Sequence, residues 1–336
     1  MKIILDCHVP AMLAHGGAQI QMEQTRLALQ TIGVEAEFLR WWDPAQTGDI
    51  IHFCGRMPVE LIRFAQKKKI KVVMADLLTA SGSQTPWQRG IRRTFRRGVE
   101  GFAPRMIANA FGWESYRLAD VLIALTPWEK HLMEYKFGAR AENVFVVPNG
   151  VEEVFFQSPK TARGEWLVCT ATITERKRVL ELAEAAVIAQ TPVWILGKAY
   201  AEGDSYAQQF FRLARENPKF IRYEGGVGDR VELARIYRAA RGFVLLSAME
   251  SLSLSALEAA ACECPLLLSD LPWARSSFTG AAEFCPATGP AATTAAALKK
   301  FYAAAPNLPA PPRPATWPDV ARQLKAVYEK VLADKR

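Results

Sequence analysis

The chain is predicted to fold as two consecutive α/β domains, each built on a parallel sheet. Three observations predict this. Short apolar runs alternate with segments of helical spacing through both halves, which is the rhythm of strand–helix–strand units. Pro148-Asn149-Gly150 punctuates the middle of the chain, between two similar series. The 336 residues also exceed one ordinary core, so two domains of roughly 150 residues are expected.

In the first half, strands are expected at Ile3 to Leu5, Glu37 to Leu39, Ile50 to Phe53, Lys71 to Met74, Val121 to Ala124 and Val144 to Val147. Their alternation with helical segments is a βαβ rhythm that implies a parallel sheet. Helices are expected at Ala18 to Thr31, Pro58 to Lys67, Ala110 to Leu118 and Pro127 to Phe137, and a Gly16-Gly17 turn hands the first strand to the first helix. Residues 76 to 109 break the rhythm with Gly, Ser, Pro and arginines, marking a long insertion on the ligand-facing side.

The second half repeats the pattern. Strands at Trp166 to Cys169, Val193 to Leu196, Phe220 to Tyr223, Phe243 to Leu246 and Pro265 to Leu268 alternate with helices at Arg178 to Ala189, Tyr206 to Glu216, Val231 to Ala239 and Ser255 to Ala261. Residues 306 to 318 hold six prolines and read as an extended linker. A closing amphipathic helix, Trp317 to Asp334, carries Val320, Leu324, Val327, Tyr328 and Val331 on one stripe. The expected domains are 1–150, with 317–336 packing back on it, and 151–305, joined by a linker at 306–316.

Half the residues are hydrophobic and 23% are charged, a globular composition. The opening MKIILDCHVP has too short an apolar run for a signal peptide, and no stretch approaches the roughly 20 apolar residues of a membrane span. A soluble or peripheral protein of the cytoplasm is expected. The six cysteines are scattered, Cys262 and Cys264 lack a second ligand pair, and the four histidines form no HExxH, so no metal is expected.

The net charge of +8 is concentrated in one segment. Arg89, Arg92, Arg93, Arg96, Arg97 and Arg105 interleave with Trp87, Ile91, Phe95, Val99, Phe102, Met106 and Phe111. Two readings stand side by side: a solvated helix face whose apolar side is buried in its own domain, or docking of residues 87–111 to an anionic membrane surface or a lipid-linked acceptor. No recognition module for nucleic acid accompanies the charge, and nucleic acid is not expected as a partner.

The stretch Arg241 to Asp270 carries the clearest chemistry, with Glu250 and Glu258 separated by seven residues in a strand–turn–helix–strand unit. Ligands of open parallel sheets sit outside the carboxyl ends of the strands, where this turn falls. Ser251, Ser253 and Ser255 supply capping hydroxyls at a helix start, whose free N–H groups favour phosphate. Glu258 lies about one turn inside that helix. Lys177, flanked by Arg176 and Arg178, opens another helix and makes a second anion site. Gly16 and Gly17 allow close backbone approach to a ligand.

HGGAQ at 15–19, ALTPWEKHLMEYKFG before VVPNGV, ERKRVLELAEA, WILGK, IRYEGGV and the Glu250–Glu258 segment, in this order, resemble a family 4 retaining glycosyltransferase over nearly the whole chain. The resemblance implies the GT-B fold, two Rossmann-like domains facing each other across a cleft. It also implies transfer of a sugar from a nucleotide-diphosphate sugar to an acceptor hydroxyl on a glycan or lipid-linked acceptor, with retention and without a metal or other cofactor. It assigns Glu258 to the ribose hydroxyls, Glu250 with the backbone of Ser251, Leu252, Ser253 and Leu254 to the sugar and diphosphate, and Lys177 to the diphosphate. Gly16 and Gly17 match the family's glycine loop, and Gly197 and Gly225 match turns lining the nucleotide pocket.

Some positions depart from that pattern. Thr172 stands where the family has an arginine, so a second phosphate cation must come from Arg176, Arg178 or elsewhere. Ala75, followed by Asp76, stands at the family's histidine. His8, His15, Gln19, His52 and Asp76 are the candidates for acceptor contact. Ser253 and Glu263 replace glycines, which would strain a left-handed backbone by roughly 1 kcal/mol. Two rivals stand beside the transferase: a nucleotide-sugar epimerase, for which no acid and base residues are identified, and a catalytically weakened relative that binds a sugar nucleotide or serves as a partner subunit, favoured by Thr172 and Ala75.

Overall fold

The structure, a computed structural model, describes residues 1–8, 16–84, 90–91, 94–96, 98–99, 113–157, 162–201 and 203–334. It divides into two compact units, residues 1–150 with 315–336, and residues 151–314.

The first unit holds a six-stranded parallel sheet of β1 (Lys2–Cys7), β2 (Glu35–Phe38), β3 (Ile50–Cys54), β4 (Lys71–Ala75), β5 (Val121–Ala124) and β6 (Val144–Val146), in the order β2-β1-β3-β4-β5-β6. That order reverses between β1 and β3, which pair from Ile3↔Ile50 to Cys7↔Cys54. The crevice of such a sheet opens at the carboxyl ends of these two strands. Every residue of β5 is buried, which explains why it reads as an unbroken apolar run. The helix Pro127–Phe137 begins at Thr126, whose side chain accepts from the Glu129 N–H, has proline at its first position, and ends on left-handed Gly138.

The helix Trp317–Ala333 starts on a capping box formed by Thr316 and Asp319 and packs against the helix Gly17–Thr31. Its Val320, Leu324, Val327, Tyr328 and Val331 are all buried. Of the expected helix from 110 to 118, Ser115–Leu118 is helical, and 110–112 lie outside the described residues.

The second unit holds β7 (Leu167–Thr170), β8 (Val193–Leu196), β9 (Ile221–Tyr223), β10 (Gly242–Leu245), β11 (Leu266–Ser269) and β12 (Glu283–Cys285), all parallel, in the order β12-β11-β10-β7-β8-β9. Counted from the start of the unit this is the 3-2-1-4-5-6 order of dinucleotide folds, with its switch point between β7 and β10. These two strands pair only through Gly242↔Leu167 and Phe243↔Val168, at their amino ends. Beyond those pairs their carboxyl ends lead into separate loops, and the crevice lies there.

Elements of the second unit that go beyond the sequence reading include the helix Pro272–Phe278, strand β12 and the helix Ala291–Ala304, which packs on the helix Val179–Ala189. The last of these is rich in alanine, and such a segment shows little hydropathy contrast between its faces. Among the described residues no helix is long and apolar enough to cross a membrane.

Candidate functional site

The switch point of the second unit gathers most of the residues singled out from sequence. After β7 the chain turns through Glu175–Lys177, and Arg178, in the left-handed region at φ 53°, leads into the helix Val179–Ala189. After β10 it runs through Ser247–Ser253 into the helix Leu254–Ala261. Lys177 Nζ donates to Glu250 Oε1, and Arg176 Nη1 lies 3.3 Å from the same oxygen. The backbone joins the two loops as well, since Ala248 N donates to Arg176 O at 2.8 Å. Glu250 is only 7% exposed, so two cations and a carboxylate share one sheltered corner.

Arg178 does not join that corner. It donates instead to the carbonyl of Ala287, beyond β12. Of the three cations expected together, the structure unites two.

Ser253 is the N-cap of the helix Leu254–Ala261, with φ −71°, and its hydroxyl accepts from the Ala256 N–H. The expected strain of a serine at this position is therefore absent, because the backbone does not enter the left-handed region. Glu263 does enter it, at φ 56°, as expected of a residue standing where a glycine belongs. Ser251, Leu252 and Ser253 are buried in the turn. The hydroxyls of Ser247 and Thr174, which follow β10 and β7, have no protein partner among the described residues.

Glu258 lies below the helix start, 5% exposed. Arg230, at the first position of the helix Arg230–Ala239, donates through Nη2 to Glu258 Oε1 and through Nε to Glu152 Oε2 at 2.7 Å. Its guanidinium stacks 4.7 Å from the Phe155 ring centroid. Tyr237 donates to Glu258 Oε2 at 3.4 Å. Burial raises the Glu258 carboxyl above its ordinary value, with Arg230 pulling the other way. Arg230, Glu152 and Tyr237 were not among the residues singled out from sequence. The available signal for Arg230 was an arginine opening a helix against the macrodipole, next to the Asp229 cap.

Gly197 and Gly225 follow β8 and β9 and are joined by a hydrogen bond from Gly197 N to Gly225 O of 3.0 Å. A Cβ on Gly197 would stand 1.8 Å from Ala171 O, so only glycine lets these backbones meet.

The first unit brings a different set to its own strand ends. Asp76 directly follows β4, and its Oδ2 accepts from the Tyr116 hydroxyl and from Arg56 Nε at 3.2 Å. Arg56 Nη2 also donates to Tyr116 at 3.1 Å, and Arg56 O is 2.7 Å from His8 Nε2. Burial, then Asp76, pushes the Tyr116 hydroxyl well above its ordinary pKa, so it stays a donor. Gly16, with φ 152° and ψ −162°, adopts a backbone conformation open only to glycine, with Gly17 and exposed Gln19 in the first turn that follows. His15 lies outside the described residues.

His52 is not at that end. It sits inside β3, 4% exposed, with Nδ1 2.5 Å from the Tyr328 hydroxyl, and burial lowers its pKa to about 4. Within the arginine-rich segment, Arg96 is buried while Ile91 and Phe95 are exposed. Trp87, Arg89, Arg92, Arg93, Arg97, Phe102, Arg105, Met106 and Phe111 lie outside the described residues. The Cys262 and Cys264 thiols are buried and pushed up to about 12, which disfavours the thiolate that a metal requires.

Residues 164–303 match the glycosyl transferases group 1 family. No curated protein matches the chain. Among solved structures, sucrose-phosphate synthase from Thermosynechococcus elongatus is similar over 99% of this chain and 100% of its own, with a TM-score of 0.70 and 17% identity. A glycosyltransferase from Rickettsia africae covers 99% of both chains, with a TM-score of 0.64 and 12% identity. Anabaena Alr3699/HepE, solved with UDP and glucose, covers 98% of both, with a TM-score of 0.63 and 14% identity. The chain thus has the two-sheet GT-B fold seen in these glycosyltransferase structures, and its second unit is similar to the glycosyl transferases group 1 family.

Proposed function

We propose that the chain is a retaining, family 4 glycosyltransferase that moves a sugar from a nucleotide-diphosphate donor to a hydroxyl of a glycan or lipid-linked acceptor, and that it needs no metal. The observation that carries this reading is the meeting of Lys177, Arg176 and Glu250 at the β7/β10 switch point, above buried Glu258.

In the transfer, the bond between the anomeric carbon and the diphosphate oxygen breaks, and that oxygen keeps the electron pair. Lys177, Arg176 and the N–H groups opening the helix Leu254–Ala261 face the developing charge, doing the work a divalent cation does elsewhere. Arg176 thereby answers the absence of an arginine at Thr172. The acceptor oxygen bonds to the anomeric carbon on the face the diphosphate leaves, and its proton passes to the departing phosphate oxygen. Configuration is retained and no nucleophilic side chain is required. Glu250 orders the Lys177 ammonium and addresses the sugar hydroxyls, while Glu258 accepts from the ribose. Asp76, held by Tyr116 and Arg56, serves the acceptor side.

The UDP in Anabaena Alr3699/HepE makes uridine donors the first to test. Donor turnover should fall sharply in Glu258→Ala and in Lys177→Ala. Undiminished turnover in both would sink the site assignment. Nucleotide binding without turnover toward any acceptor would favour the weakened relative. The cytoplasmic setting and membrane docking through 87–111 belong to the same proposal. The docking part fails if the protein ignores anionic liposomes at low salt.

A further inference from the structure

Two adjacent indoles stand in the open on the first unit. Trp41 is 84% exposed and Trp42 70%, with ring centroids 6.2 Å apart in an edge-to-face pair. They directly follow β2, at the same end of the parallel sheet as Asp76 after β4. From β2 to β4 is three strand steps, about 14 Å at the usual spacing between strands. That distance suits a chain of several sugar rings.

The loop that presents them is locked by hydrogen bonds. Arg40 N donates to Gln46 Oε1 at 2.7 Å, and Gln46 Nε2 donates to Glu37 Oε1 at 2.9 Å and to Phe38 O at 3.0 Å. Arg40 reaches Glu37 at 2.7 Å and Asp43 at 3.1 Å, and Asp43 also accepts from Ala45 N at 3.0 Å. A floppy surface loop does not require such a frame. A recognition platform does, because holding the aromatic faces in place beforehand removes the ordering cost of binding.

Charge narrows the occupant. The one cation of the loop, Arg40, is neutralised by Glu37 and Asp43, so the platform offers no basic field to an anionic lipid surface. It offers electron-rich indole faces flanked by carboxylate and amide groups. That combination fits an uncharged carbohydrate, whose C–H faces lie against aromatic rings while its hydroxyls reach polar neighbours.

We propose that Trp41 and Trp42 form a remote subsite for a neutral oligosaccharide acceptor, holding sugar rings several units away from the hydroxyl that reacts. This rests on the reading of the chain as a glycosyltransferase. The test is isothermal titration calorimetry of the full chain with maltohexaose, cellohexaose and chitohexaose as probes, each beside its own monosaccharide. Wild type should bind at least one hexasaccharide at least tenfold more tightly than the monosaccharide. Trp41→Ala/Trp42→Ala should lose at least tenfold of that affinity, and Trp41→Phe/Trp42→Phe should keep most of it. The proposal is overturned if no hexasaccharide binds, or if the alanine variant binds as wild type does. It is equally overturned if the alanine variant loses only liposome binding or self-association. Thermal stabilisation by UDP, read in the same samples, tests the donor site separately. Hexasaccharide binding with no nucleotide binding would refute the proposed activity and leave the platform standing.

Discussion

Lys177 Nζ and Glu250 Oε1 form a direct ion pair across 73 residues of sequence. The pair exists because β7 and β10 are neighbours in the sheet, which sets the loops that follow them side by side. It fixes an ammonium in a corner where Glu250 is 7% exposed and water screens charge poorly.

Removing the ammonium should therefore act on the chemical step. Lys177→Ala is expected to lower kcat about 100-fold or more, the scale of losing one preorganised donor to a developing charge. Lys177→Arg should recover part of that loss. Steady-state kinetics with saturating donor check both, and an unchanged kcat in Lys177→Ala would remove Lys177 from the leaving-group role.

Arg230 compensates a buried carboxylate. Arg230→Ala should cost roughly 3 kcal/mol of stability at pH 7, because Glu258 then stays buried without its cation. Burial already raises the folded-state pKa of Glu258. The folded protein thus holds that proton to higher pH than the unfolded chain, and stability is lost as pH rises above the ordinary glutamate range. The cost of Arg230→Ala should shrink toward pH 4.5 and grow toward pH 7, as denaturant melts at both values would show.

His52 predicts the opposite slope. Its pKa falls from 6.5 in the unfolded chain to about 4 in the fold. The stability it contributes is complete above pH 6.5 and is lost as pH falls toward 4, by about 3 kcal/mol in all. His52→Gln should flatten this acid limb in melts taken between pH 7 and 4, and it should leave kcat near wild type.

Glu263 occupies left-handed backbone at φ 56°. Its N–H bonds to Ala260 O, and its carbonyl accepts from Arg163 Nη2 at 2.7 Å, contacts that a glycine keeps. Glu263→Gly should stabilise the fold by roughly 1 kcal/mol by relieving the backbone. A thermal melt at or below the wild-type midpoint would contradict this.

Much of the second unit's site is legible in the sequence, because Lys177 and Glu250 each follow an apolar strand run and ligands gather where such strands end. Their contact is not legible, since it depends on β7 lying beside β10, and strand order is a property of the whole sheet. Arg230 sits at a helix start that the hydrophobic pattern locates one residue later, at Val231, so its cation fell outside the reading. Glu152 has no local signal at all, as its role comes only from Arg230 reaching it. His52 shows why a residue type is weak evidence of a role: its place in the apolar run of β3 is visible, but its partner Tyr328 lies 276 residues away. Alanine-rich 291–304 escaped because its buried and exposed faces differ little in hydropathy.

In the proposed function, the β7/β10 switch point binds a nucleotide-diphosphate sugar through Glu258 and Lys177. Its most direct test is thermal stabilisation by UDP-glucose and UDP, measured in wild type, Glu258→Ala and Lys177→Ala. The wild-type midpoint should rise with both ligands, and the rise should be abolished in Glu258→Ala and reduced in Lys177→Ala. Equal stabilisation of all three proteins, or none of wild type by any member of a full nucleotide-sugar panel, would contradict it.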